Sequence, residues 1–359
     1  MRPANGRIVG RSALRRHMAG ILPFFFLLSL LAQQSESIAS LTRLGADYLE
    51  QGDLSKALDA FERAVRLQPS DPALQFNVGL ALYRMGRYRQ ALEPLGKALA
   101  HPPSAERARF LRGTIFFQSG QLEACAREIE GLRSDPGQGE EVLFMLIECY
   151  RRLGRANDAQ AAFLELNRRF PGSAFVHRLM GVAYDAQTNY DKAIEEFQAA
   201  LRVREDMPEI AFAIGYIYWK QQEYAKARSW LERELAGQPC YARAHHFLAE
   251  IDRIEQKWDA AAVRYRKALE CDPDLADSYL GLGNLAEREA KWEEALKLYR
   301  KLAELKPNDS QPHFKVGLAL QRTGRTAEAQ EEFTRARKLL AAEQERDRRG
   351  VMTAKPPKR

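Results

Sequence analysis

Apolar residues recur along this chain with two superposed periods. Over short stretches they fall at i, i+3, i+4 and i+7, as in Leu41, Leu44, Gly45 and Tyr48, which marks one face of an α-helix. Over long stretches the whole pattern returns every 34 residues, nine times from Ile38 to Glu343, without insertion or deletion. Counting positions 1–34 from Ile38, the repeats begin at Ile38, Pro72, Glu106, Glu140, Ala174, Pro208, Ala242, Ala276 and Ser310. Gly45, Gly79, Gly113, Gly181, Gly215, Gly283 and Gly317 share position 8. Position 20 is alanine in every repeat but the third, which has Cys125. Position 24 is bulky, as in Phe61, Leu95, Phe197, Tyr265 and Tyr299. Each repeat therefore predicts two helices that cross closely at a small residue. Gly52, Gly86, Gly120, Gly154 and Gly324 at position 15 suit the turn between them, where positive φ costs glycine little. The prolines at position 32 (Pro69, Pro103, Pro171, Pro239, Pro273 and Pro307) end the second helix by forcing the preceding residue out of α geometry. Aromatics at position 17 (Tyr88, Tyr190, Tyr224, Trp258 and Trp292) open the second helix and read as packing residues. Such a period predicts stacked helix pairs rather than a closed globule.

The pattern resembles the tetratricopeptide repeat (TPR) family over 306 of the 359 residues. The resemblance implies an all-α, right-handed superhelix (α-solenoid) of nine helix-turn-helix repeats, 38–71, 72–105, 106–139, 140–173, 174–207, 208–241, 242–275, 276–309 and 310–343. Three repeats depart from the pattern and are expected to pack less tightly. Repeat 3 has Arg112 at position 7 and Cys125 at position 20; repeat 5 ends Arg204-Glu205-Asp206 with no proline at position 32; repeat 7 has Asp252 where an aromatic is usual. The stretch Ala327–Arg346 reads as one long final helix.

Outside the array, Arg7, Arg11, Arg15 and Arg16 precede an apolar run from Ala19 to Ala32 and then polar residues. This is the layout of a secretory signal, with a cut after Ala32. The alternative is an uncleaved inner-membrane anchor over residues 18–35, a length at the lower edge for a spanning helix. The expected location is extracytoplasmic, periplasmic or secreted, with N-terminal membrane association if the segment is retained. Residues 1–37 and 344–359 carry +4 each, so the array itself is −1 although the whole chain is +7. That balance gives little counterion release, so no nucleic acid partner is expected. Residues 344–359 read as a basic, disordered tail.

The array offers no catalytic set. HExxH, GxSxG and P-loop motifs are absent from the sequence, and neither a metal nor a cofactor is expected. His177, His245 and His313 share position 4, which argues for structural use, and pairs such as Glu195-Glu196 and Glu331-Glu332 read as a solvated face. The four cysteines form two candidate pairs, Cys125 with Cys149 and Cys240 with Cys271. Either pair bridges if the backbones approach, although small buried apolar residues are the favoured reading.

With catalysis set aside, the expected function is a non-catalytic scaffold that holds a protein or peptide partner. The alternative is a targeting or assembly subunit of a separately encoded envelope, secretion or glycan-processing enzyme. The resemblance places partner contacts on the concave surface, at first-helix positions 2, 5, 9, 12 and 13. Phe76, Tyr83, Phe110, Phe117 and Phe144 lie on that surface in repeats 2 to 4, and Phe212, Tyr216 and Trp219 form a stripe in repeat 6. Arg151 and Arg178 add positive charge suited to an acidic partner. Exposed aromatics of this kind bury the apolar anchors of a bound segment. The resemblance's carboxylate clamp needs lysine at position 5 and asparagine at position 9, and its sugar-transferring members run asparagine up position 6 of successive repeats; here position 6 has asparagine only in Asn77, so neither mode is supported. Only Asn284 matches a clamp position.

Overall fold

The computed structural model describes residues 37–102, 104–133 and 139–353, and all the elements among them are helices. The expectations for the leader and for the last six residues lie outside this range. The chain divides into two compact blocks, 1–169 and 170–359. The first holds α1 (Ile38–Gln51), α2 (Leu54–Leu67), α3 (Pro72–Arg84), α4 (Tyr88–Ala98), α5 (Ser104–Gln118), α6 (Leu122–Glu130), α7 (Gly139–Arg152) and α8 (Ala156–Arg169). The second holds α9 (Ala174–Ala186), α10 (Tyr190–Val203), α11 (Ile210–Lys220), α12 (Tyr224–Gly237), α13 (Ala242–Ile254), α14 (Trp258–Cys271), α15 (Ala276–Arg288), α16 (Trp292–Leu305), α17 (Ser310–Arg322) and α18 (Thr326–Thr353). Each 34-residue repeat is one helix hairpin.

Inside the hairpin, the side chain at position 24 fills the notch left by glycine at position 8. A Cβ on Gly79 would lie 2.6 Å from the Leu95 side chain, and one on Gly283 would lie 2.3 Å from the Tyr299 ring. The same fit joins Gly45 to Phe61, Gly113 to Ile129, Gly181 to Phe197, Gly215 to Leu231 and Gly317 to Phe333. The position 20 alanines pack beside it, fully buried in most repeats. Repeat 4 has Ile147 in place of the glycine, and its position 24 residue, Phe163, is only half-buried.

All five glycines at position 15 have positive φ, between 72° and 81°. The turn imposes the same geometry where glycine is missing. Thr188, Gln222, Gln256 and Ala290 sit at φ 57°, 63°, 60° and 56°, a conformation that costs an L-residue roughly 1–2 kcal/mol.

Neighbouring hairpins meet through a second recurring contact. The aromatic at position 17 lies under the cation at position 13 of the next repeat: Lys220 is 4.6 Å from the Tyr190 ring, Arg288 is 4.0 Å from Trp258 and Arg322 is 5.4 Å from Trp292. The position 4 histidines are structural, as expected. His177 and His313 bond at 2.7 Å to Glu196 and Glu332 on the second helix of their own repeats. Those two carboxylates are therefore not part of a free solvated face.

Two of the three departures are compensated. Asp252, 2% exposed, lies between Arg228 at 2.8 Å and Arg264 at 2.9 Å. Its surroundings Leu248, Ala249, Ile251, Ala261 and Tyr265 are completely buried, so the expected looser packing of repeat 7 is not met. At the junction without a proline, α11 starts at Ile210 after Glu209 at φ 65°. The buried carboxylate of Glu234 accepts the backbone N–H groups of Glu209 and Phe212, both at 3.1 Å, and so caps that helix from its neighbour.

Two expectations are corrected. The tail was expected to be disordered from 344, but α18 continues to Thr353. Position 32 of this repeat is Ala341 rather than proline, and the following residues are good helix formers. Glu343 anchors the extension by accepting from the Ser310 backbone N–H at 2.8 Å and its hydroxyl at 2.9 Å. Second, the cysteines do not all behave as small apolar residues. Cys240 and Cys271 are joined by a disulfide with Cα atoms 5.3 Å apart, whereas Cys125 and Cys149 are buried free thiols.

Three outcomes follow, each read from urea unfolding. Gly79→Val forces a side chain into Leu95 and destabilises the chain by about 1–3 kcal/mol. Ala290→Gly relieves the left-handed strain and raises stability by about 0.5–1 kcal/mol, after the greater chain entropy of glycine is offset. Asp252→Ala leaves two arginines facing each other and costs about 3 kcal/mol, the low end for a broken buried pair, since both guanidinium groups reach solvent.

Candidate partner-binding groove

Position 5, read from the sequence as groove surface, is largely spent on joining repeats. Phe76 is 4% exposed and lies under Arg107, whose guanidinium is 4.3 Å from the ring centre. Phe212 is 5% exposed and lies under Arg243 at 4.5 Å. Arg178 reaches Glu209 at 3.2 Å. In all three cases the partner is position 2 of the next repeat. Phe76 and Phe212 are thus not free anchors, and Arg178 is paired. The physical reason is that a first-helix side chain at this position leans toward the following hairpin.

The remaining sequence-derived residues divide by block. Tyr83 is half-buried against Tyr88, with ring centres 5.6 Å apart, and burial pushes its hydroxyl pKa up. Phe117 lies under Arg152 at 5.1 Å. Phe110 and Phe144 are half-buried, and Arg151 is exposed and bonded to Glu148 at 2.8 Å.

Repeat 6 behaves differently. Phe212, Tyr216 and Trp219 stack along α11, with successive ring centres 6.0 Å apart. Phe247 on α13 closes the stack, at 4.9 Å from Tyr216 and 5.0 Å from Trp219. The indole N–H of Trp219 is enclosed with no hydrogen-bond partner. Beside this wall lies a recess of ≈ 450 Å³ spanning repeats 6 to 8, with Glu250, Arg253 and Asn284 on its other side.

The polar side is held from behind by tyrosines at position 24. The Tyr265 hydroxyl donates to Glu250, which also accepts from Arg253 at 2.8 Å. The Tyr299 hydroxyl lies 3.0 Å from Asn284 Oδ1 and 2.6 Å from Glu287. Burial, with the adjacent carboxylates, raises both hydroxyls well above the ordinary tyrosine value, so they remain donors at neutral pH. His246, at the recess floor, has its pKa lowered by burial and bonds Ser278 at 3.0 Å. The single Tyr299 proton goes to the nearer Glu287 carboxylate, so the Asn284 side-chain amide beside it can donate to or accept from a bound group. The site can thus receive an apolar side chain against the rings and hydrogen-bond a peptide group at Asn284.

The sequence reading located Tyr216 and Trp219 but not Phe247 as part of this wall. The signal was present at position 6, where Phe247 is flanked in neighbouring repeats by Ala213 and Gly281. One large ring between two small residues stands out in that register. Among the described residues there is no cluster of three or more histidine, cysteine or carboxylate side chains able to hold a metal ion, and no helix is long and apolar enough to cross a membrane.

Profiles described as tetratricopeptide repeat match residues 44–115, 141–173, 178–242 and 278–312, and one described as TPR repeat matches 249–288. Protein O-mannosyl-transferase TMTC1 of Homo sapiens is 25% identical over 231 residues, covering 61% of this chain and 25% of that protein. BBSome complex member BBS4 of Bos taurus is 20% identical over 254 residues, covering 67% of this chain and 49% of that protein. The chain spans a quarter to about half the length of these curated relatives. The crystal structure of a tetratricopeptide repeat protein from Parabacteroides merdae superposes with a TM-score of 0.55 at 18% identity, over 70% of this chain and 100% of that one. Likeness at this level speaks to the fold alone, and it is the fold of stacked helix hairpins found in both blocks. With the 34-residue register, the hairpins and the matched segments in agreement, the chain belongs to the tetratricopeptide repeat family.

Proposed function

We propose that this protein is a non-catalytic scaffold that holds a segment of a partner protein in its first-helix groove, outside the cytoplasm. The observation that carries this reading is the recess of repeats 6 to 8. There Tyr216, Trp219 and Phe247 face Asn284, Glu250 and Arg253 across ≈ 450 Å³. Aromatic walls opposite a few oriented polar groups suit an apolar anchor on a peptide backbone. The recess carries two carboxylates, Glu250 and Asp277, against one arginine, Arg253, which favours a neutral or basic segment over an acidic one. Together with the near-neutral array, this makes nucleic acid the poorer fit. The Cys240–Cys271 disulfide supports an oxidising compartment, in keeping with the signal-like leader, or with its alternative as an inner-membrane anchor.

A second reading has one observation in its favour. The relatives include a protein named as a complex member and one named as an O-mannosyl-transferase, which suits a targeting or assembly subunit of a separately encoded enzyme. Both readings use the same groove.

The test places a photo-crosslinking amino acid at Asn284, and separately at Val263, which is 63% exposed on a second helix, in the native host. A protein adduct forms from 284 and not from 263. Trp219→Ala weakens the purified partner's binding about tenfold or more while the helical circular dichroism is retained. An adduct that forms equally from both positions, or affinity unchanged by Trp219→Ala, overturns the assignment.

A further inference from the structure

We propose that Cys125 and Cys149 are a site of covalent cross-linking, forming a second disulfide that staples repeat 3 to repeat 4. The two Sγ atoms lie 2.8 Å apart, in a hydrogen bond, and both residues are completely buried. Cys125 is on α6 and Cys149 on α7, so a bond between them crosses from one hairpin to the next within the first block. The Cys240–Cys271 disulfide does the same for repeats 6 and 7 in the second block. All four cysteines of the chain are therefore paired across repeat borders.

The repeat itself supplies the comparison. Position 20 is alanine in the other eight repeats, and position 10, where Cys149 sits, is mostly Ala, Ile or Leu (Ala81, Ile115, Ile217, Leu285). Neither position requires a thiol for packing, yet the two departures fall on adjacent hairpins at touching positions. The joint is also where a staple has most to add. The second helix of repeat 3, α6, has nine residues, against 11 in α4 and 14 in α2, so less helix surface holds repeat 4 in place.

The chemistry is thiol–disulfide exchange with an external disulfide, small-molecule or protein. The Cys149 thiolate attacks one sulfur of the oxidant, forming a mixed disulfide and expelling one thiolate. The Cys125 thiolate then attacks Cys149 Sγ and expels the second. Two cysteine thiols and one external disulfide become one internal disulfide and two external thiols. The close contact with Cys125 lowers the Cys149 pKa against the opposing effect of burial, and Arg152 adds to the lowering. The same contact, with burial, raises Cys125. Because both sulfurs are enclosed, exchange takes place as repeat 4 docks during folding, and the finished bond is shielded from reductant.

The experiment refolds the full chain with oxidised and reduced glutathione, alkylates it in denaturant and maps the cysteines by mass spectrometry. The expected result is no alkylated cysteine and a linked pair of Cys125- and Cys149-containing peptides. Reductant without denaturant leaves that link intact. Cys125→Ala, which restores the residue of the other repeats, folds, matches the reduced parent in thermal stability and lacks the part of the oxidation-dependent rise in Tm that the second bond adds to that of Cys240–Cys271. That part is on the order of 5 °C or more in the parent. Alkylation of both residues, or linkage of either to glutathione, Cys240 or Cys271, overturns the proposal. So does an equal oxidation-dependent rise in the alanine variant.

Discussion

The structure rests on one steric fit: a glycine at position 8 of the first helix receives the large side chain at position 24 of the second. With a Cβ that would come within 2.3–2.9 Å of its partner, the helices could not approach as they do. The fit is short-range, recurs within every hairpin that has the glycine, and sets the depth to which the two helices mesh. Repeat 4 shows the dependence from the other side. Ile147 occupies the notch, Phe163 is displaced to a half-buried position, and Ala162 and Leu166 take the fully buried places. A repeat array tolerates such a local solution because each hairpin answers mainly to its neighbours.

Between hairpins, two contacts repeat in register. Tyr190, Trp258 and Trp292 at position 17 accept a cation from position 13 of the next repeat, and Phe76, Arg178 and Phe212 at position 5 meet position 2. Both contacts bring the flat face of a ring or a charge to the same inter-repeat seam. Position 5 can therefore change chemistry, from Phe76 with Arg107 to Arg178 with Glu209, without altering the stacking. The consequence for function is a division of labour. Phe76 and Phe212 at position 5 help hold the array together, while Tyr216, Trp219 and Phe247 at positions 9, 12 and 6 remain to meet a partner. The recess of repeats 6 to 8 lies where that second set is richest, with Gly281 in its lining and the Tyr265 ring packed where a Cβ would stand.

How much of this was legible in the chain can be argued residue by residue. The 34-residue register, the helix starts at Tyr88, Tyr190, Tyr224, Trp258 and Trp292, and the turn glycines were all readable, because each depends on contacts within a few residues or one hairpin. Tyr216 and Trp219 were readable for the same reason, lying 3 residues apart on one helix face. Phe76 and Phe212 were misplaced as free anchors, because their burial depends on a side chain about 31 residues away, Arg107 or Arg243. Asp252 read as a defect until its two arginines were seen across two helices.

The amino-acid sequence by itself determined the repeat length, the hairpin and the small-to-large fit, since strict periodicity and local sterics leave no other arrangement for these residues. Tertiary structure alone decided which polar and aromatic side chains are spent between repeats and which remain available. It also decided that the turn forces Ala290 and Gln222 into the left-handed region, and that Glu234, in the last turn of α12, caps the start of α11. Those outcomes depend on the distance and direction between neighbouring hairpins, and a linear pattern carries neither.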